Sequence, residues 1–219
     1  MNRKLMAVGL VLSALLVATG LTSAGAPATT GGHFTTGAQH TEWKAVVHTP
    51  NVFTFAAWTM TCSKATYEAT TATTTSEALT LFPTYEACQW EVPGQVMGGV
   101  SIRTNGCHFR FTIGEKAEAD NTGHLICPLG KSIEFEVPNA RLHLPPQTFS
   151  GVSYKATTEF GAGALTIEFT TPGMTGHCEA GFFCAGTTNW GAALDGSLTM
   201  QGFDTFGSRV DLKATGTED

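Results

Sequence analysis

Two carboxylates stand two residues apart in the stretch "KSIEFEV", as Glu134 and Glu136. Glycoside hydrolysis needs a pair of carboxyl groups held about 5–9.5 Å apart across a sugar cleft, and two neighbours on one face of a strand meet that separation. Alternation in the same stretch turns Ile133, Phe135 and Val137 inward and leaves both glutamates on a wet face. They are the candidate catalytic pair, and the plainer expectation is two solvated strand positions. The four tryptophans offer another chemistry, the stacking of sugar rings on indole faces. Trp43 lies among polar neighbours, and Trp90 and Trp190 lie in turn-like surroundings, which makes these three the candidate binding residues. The competing expectation is that they fill the core and its ends.

Other chemistries leave fewer traces. The seven histidines contain no H-x-H and no H-E-x-x-H, so neither a metal site nor a cofactor is expected. G-x-S-x-G is absent, and Ser150 in "FSGVS" lacks the strand–elbow–helix context that exposes a strained hydroxyl. No Ser–His–Asp arrangement is readable from spacing. Residues 114–124, "GEKAEADNTGH", gather Glu115, Glu118 and Asp120 but lack the calcium-loop pattern and read as a solvated loop.

The elements that must position these residues follow a period of two. "CHFRFTI" places Cys107, Phe109, Phe111 and Ile113 inward and begins at the turn signal Asn105-Gly106. "VFTFAAWTMTC" reads as one strand, with Phe53, Phe55, Ala57, Thr59 and Thr61 facing one way. Short Thr-rich strands with Gly and Pro turns recur, and no helical spacing follows the amino-terminal segment. The fold expected is all-β, an antiparallel β-sandwich stapled by disulfides. "YEATT…ALTL" at 67–81 returns as "YKATT…ALTI" at 154–167. The echo raises the expectation of two similar halves, 41–104 and 105–214, within one domain at 41–214, against the alternative of coincidence in a Thr-rich chain. Residues 29–40 read as a flexible lead-in and 215–219 as a tail.

The amino terminus gives an address. Arg3 and Lys4 precede a fourteen-residue apolar run, Leu5 to Ala18, and small residues follow. This is the order of a secretory signal peptide, 1–28, with cleavage expected after Ala24 or Ala28. The run is short of the roughly 20 residues a membrane-crossing helix needs, so membrane contact is expected only through an uncleaved leader. Six cysteines in an exported chain imply three disulfides. Fifteen pairings exist for six cysteines. Neighbour pairing, Cys62–Cys88, Cys107–Cys127 and Cys178–Cys184, is the choice that closes hairpin-sized or loop-sized segments.

The formal charge is −6, and −8 once Arg3 and Lys4 leave with the signal peptide. No basic run remains to track a phosphate backbone, so nucleic acid is not an expected partner. An extracellular glycan or protein is. The function expected is a secreted or cell-surface, non-catalytic binding or structural module. The alternatives are a polysaccharide-acting hydrolase built on Glu134 and Glu136, and an assembly subunit pairing through an edge at 33–48.

Several stretches together resemble a group of uncharacterised secreted β-rich proteins of soil actinobacteria. They are "HFTTGAQHTEWKAVVHTPNVFTFAAWTMTCSKATYEATT", "PTYEAC", "NGCHFRFT", "ICPLGKSIEF" and "LPPQTFSGVSY". The resemblance covers nearly all of the mature chain and implies export and a β-rich fold, without an activity. The group carries Gly-Cys where this chain has Asn139-Ala140, a departure that accompanies the additional Cys184.

Overall fold

The structure, a computed structural model, describes residues 31–55, 58–93, 95–114, 121–157, 163–181 and 189–216. The leader expected at 1–28 lies outside them. In chain order the strands are β1 (His33–Thr36), β2 (Thr41–Phe55), β3 (Trp58–Thr71), β4 (Thr75–Ser76), β5 (Ala78–Val92), β6 (Gln95–Arg103), β7 (His108–Thr112) and β8 (Thr122–Ile126). They continue as β9 (Ile133–Val137), β10 (Ala140–Leu144), β11 (Gln147–Phe149), β12 (Val152–Thr157), β13 (Ala164–Gly181), β14 (Asn189–Phe203), β15 (Arg209–Val210) and β16 (Leu212–Thr215). Every pairing among the described residues is antiparallel. The chain is all-β, as alternation requires.

Five long strands, in the order β5-β3-β2-β14-β13, form a wall. Shorter strands divide at both of its edges. At the β5 edge, β6 pairs with Cys88–Val92 while β7 pairs with Ala78–Leu81. At the β13 edge, β10 takes the carboxyl-terminal part and β12 the amino-terminal part. Above, β6, β9 and β10 connect the two edges, and this circuit of pairings closes on itself. Below, β7, β8 and β11 lead to a corner at Ser150-Gly151, where the chain passes from β11 beside β8 to β12 beside β13. The result is a sandwich-like stack around one continuous core. Phe53 and Phe55 pack on Phe135 above, at centroid distances of 4.9 and 5.1 Å. Phe109, Phe111, Phe149 and Phe169 pack below.

The wall holds because its strands change phase together. On β3, Trp58, Met60 and Cys62 are buried, then Ser63 and Lys64 are both exposed, then Ala65, Tyr67 and Ala69 are buried. β5 makes the matching change at Glu86 and Ala87, where Ala87 adopts φ 50°. A bulge of this kind bends a strand so that one face can follow two parts of a core. Cys62 and Cys88 are register partners at that level and form a disulfide. Cys107–Cys127 staples the entry of β7 to the end of β8. Two of the three expected bridges are therefore present. Cys178 is also disulfide-bonded, and Cys184 lies outside the described residues. Oxidised cysteines fit an oxidising compartment. No helix among the described residues is long and apolar enough to cross a membrane.

Three expectations need correction. The lead-in at 29–40 is not free chain where it is described: β1 pairs with β16 on one edge and β4 on the other, and Phe34 is buried against Tyr154. The tail expected at 215–219 overlaps β16, which includes Thr215. The single strand read over 52–62 is a hairpin with Phe55 opposite Trp58, so Trp58, Met60 and Cys62 point inward in place of Thr59 and Thr61. Across the expected 104/105 boundary, β2 pairs with β14 and β6 with β9, so strands from both sides share one closed circuit. The echoed segments are both hairpins, β3–β5 and β12–β13, but Tyr67 pairs with Pro83 whereas Tyr154 pairs with Ile167. The offset lets Ala78–Leu81 leave β3 and pair with β7.

Gly151 makes the lower corner possible. Its φ is +80°, and a Cβ there would stand 2.1 Å from the carbonyl oxygen of Thr170, whose N–H donates to the Gly151 carbonyl at 3.0 Å. Gly151→Ala is expected to destabilise the fold by roughly 1–3 kcal/mol, read as a lower urea midpoint with an unchanged slope.

Candidate functional site

The sequence candidates divide on burial. Glu134 and Glu136 lie on the outer face of β9, as alternation requires. Glu136 pairs with Arg103 at 3.2 Å, and Glu134 stands between Arg103 and His143 in register. Neither lines the depressions bordered by Phe82, by Tyr67, by Ser150 or by Pro50. Trp43 is 1% exposed and donates its indole N–H to Thr71 Oγ1 at 3.2 Å. Trp90 is 3% exposed and packs on Trp58 at 5.3 Å. Inward register therefore removes both indoles from any sugar-stacking surface. The side chain of Trp190 lies outside the description. Among the described residues no group of three or more His, Cys, Asp or Glu is placed to hold a metal ion.

An aromatic face of another kind is open. Leu79 and Leu81 take the inward phase of β5, which forces Phe82 outward, and it is 53% exposed. Its register neighbours are Glu68 on β3 and, beyond that, Lys44 on β2. Phe82 borders an open groove of about 370 Å³ lined also by Glu42, Lys44, Glu68 and Thr70, with Trp43 and Ala69 as its floor. On the other side the His108 ring lies 5.1 Å from Phe82, tilted by 41°. Among the described residues the buried His108 Nδ1 has no hydrogen-bond partner. The groove thus offers one apolar ring face with carboxylates, an ammonium and a hydroxyl around it. The signal for it in the sequence is a lone Phe at the wet phase of "ALTLFPTY".

A second constellation spans the upper circuit. Ser132 Oγ lies 3.0 Å from His143 Nδ1, and His143 Nε2 lies 3.0 Å from Glu179 Oε2. Arg141 donates to the same carboxylate oxygen at 3.3 Å. The three groups come from the turn before β9, from β10 and from β13. Hydrogen bonds from His143 and then Arg141 hold the Glu179 carboxyl below its ordinary range. Sequence spacing could not bring these residues together, because Leu142 faces Cys178 only through a pairing that includes a register shift between Arg141 and Leu142.

In comparisons with known proteins, the chain matches no family model, no curated protein and no solved structure.

Proposed function

We propose that the chain is an exported binding module that takes an extracellular glycan across the outer face of β2, β3 and β5. The observation that carries this reading is Phe82, a half-exposed aromatic ring over a groove edged by Glu42, Lys44, Glu68 and Thr70. A sugar ring has an apolar C–H face and a rim of hydroxyls. The first suits an aromatic ring, and the second suits charged and hydroxyl side chains that both donate and accept. The groove is open, which favours a segment of a polymer lying across the sheet over a small molecule enclosed by it. The acidic balance argues against a phosphate backbone as the polymer.

Affinity electrophoresis and calorimetry with soluble neutral and acidic polysaccharides test this. At least one should bind, and Phe82→Ala should raise its Kd by at least about tenfold, or roughly 1.4 kcal/mol, without changing the near-ultraviolet circular dichroism. Unchanged affinity in that variant, or no binding to any polysaccharide, overturns the proposal. The hydrolase alternative on Glu134 and Glu136 has less support, since Glu136 is tied to Arg103 and neither glutamate lines the open grooves described above. Assembly through 33–48 has less support too, since β1 and β2 each have strand partners on both sides.

A further inference from the structure

We propose that Ser132 is an activated nucleophile that cleaves small carboxylic esters, with His143 as its general base and Glu179 as the group that orients the base. An ionised carboxylate can only accept hydrogen bonds, so at 3.0 Å from Glu179 the His143 Nε2 must carry the ring proton. That fixes the neutral tautomer and leaves Nδ1 with a lone pair. Ser132 Oγ, 3.0 Å from Nδ1, then donates its proton to the imidazole. A nucleophile within reach of a base, and a base oriented by a third group, is the arrangement that activates a hydroxyl.

Burial supports the assignment of roles. The His143 side chain is 17% exposed, which keeps the ring in place, whereas Glu179 is 52% exposed and is held by Arg141. Ser132 is partly exposed at the end of a turn whose backbone is pinned. Asn105 Nδ2 donates to the Ser132 carbonyl at 3.0 Å, and Lys131 N–H donates to the Pro128 carbonyl at 2.9 Å. The charged and titratable groups around His143 are Glu134 on β9, Arg141 on β10, and His177 and Glu179 on β13, with Arg103 on β6 beyond Glu134. The site lies on an outer sheet face, so its substrate class is a small acyl ester carried on a larger, exposed molecule.

The step balances within these residues and water. The Ser132 oxygen bonds to the ester carbonyl carbon as its proton passes to His143 Nδ1. The carbon–oxygen bond to the alcohol breaks, and that proton leaves with the alcohol. Water, deprotonated by the same nitrogen, then releases the acid and restores the hydroxyl.

Two assays on the full mature chain test the proposal. A fluorophosphonate, which loses fluoride when a serine oxygen attacks phosphorus, should add once, and peptide mapping should find the adduct on Ser132. p-Nitrophenyl acetate hydrolysis should be lost in Ser132→Ala and slowed at least about 100-fold in His143→Gln. Glu179→Gln should reduce kcat about tenfold with little change in KM, and should move the acid limb of the pH–rate profile to lower pH as the imidazolium loses its anion. A purely structural role for Glu179 would leave that limb in place. Circular dichroism and the urea midpoint verify that each variant is folded. Hydrolysis at wild-type rate in folded Ser132→Ala, an adduct on another residue, or no adduct at all overturns the assignment.

Discussion

Replacing Cys62 and Cys88 together with alanine is expected to lower the unfolding free energy by about 3–4 kcal/mol. The bridge closes a separation of 26 residues, and the chain-entropy model assigns an effect of that size to such a loop. Position adds to length. Both residues are buried, at 0% and 6% exposure, so the smaller side chains also leave unfilled space. The bridge sits where β3 and β5 change phase, the level at which a slipped register would turn a whole strand inside out. Urea unfolding followed by tryptophan fluorescence gives the measurement. The Cys107–Cys127 pair, with a separation of 20, is expected to contribute about 3 kcal/mol in the same assay. An unchanged midpoint in the Cys62/Cys88 variant would mean that the strands hold their phase without the covalent tie.

The second large effect is alkaline unfolding that starts near pH 10. All three tyrosines of the chain have their phenol ionisation pushed upward, chiefly by burial. Tyr67 donates to Asn51 Oδ1, and because that oxygen is acceptor-only, the 3.2 Å contact between Tyr67 and Tyr85 has Tyr85 as donor. Ionising Tyr85 would lose that bond and set a charge beside Tyr67. Tyr154 donates to the Thr112 carbonyl at 3.1 Å. The unfolded chain ionises near pH 10, whereas the folded phenols stay protonated to higher pH. Above pH 10 the folded state therefore binds more protons than the unfolded one, and stability falls as pH rises. Below pH 10 this contribution is fully present. With all three groups titrating only on unfolding, the slope approaches about 4 kcal/mol per pH unit. Phenolate absorbance should rise together with the loss of circular dichroism. In Tyr67→Phe the slope should fall by about a third, and the loss of the donor to Asn51 should cost about 1–3 kcal/mol at neutral pH. Reversible tyrosine ionisation near pH 10 in protein that keeps its native spectrum would contradict the account.

The fold class was readable from sequence wherever alternation was clean. "CHFRFTI" and "KSIEFEV" have the faces that their pattern dictates, with Phe109, Phe111, Ile133 and Phe135 buried. Two disulfides follow the neighbour rule because each joins strands adjacent in the sheet or the ends of neighbouring strands. What escaped was strand length. Pro172-Gly173 has the composition of a turn, yet β13 runs through it with a register shift between Thr171 and Met174. Pro50 similarly sits in the irregular part of β2 between Val46 and Asn51. Bulges absorb residues that would end a regular strand, and composition alone does not distinguish a bulge from a turn. Asn105-Gly106 forms the tight turn its residues favour, with both at positive φ, but β6 and β7 diverge after it and pair with other strands. Trp43 and Trp90 face the core for a related reason. Trp43 is inward because Lys44 and Glu42 are outward, while Phe82 was hidden in an apolar-looking run whose phase places it in water. Ser132, His143 and Glu179 meet across three segments, and only sheet order brings them together.

The position of β2 between β3 and β14 sets an order of assembly. β2 precedes β14 by most of the described strands, so the middle of the wall stays unzipped until β14 is available. Cys62–Cys88 and Cys107–Cys127 lie wholly between these two strands in sequence, so neither bridge needs the seam to be closed. The nascent chain meanwhile carries a long strand with one bare flank, the kind of surface that chaperones shield and that self-associates when crowded. A chain cut before β14 therefore keeps that flank of β2 uncovered.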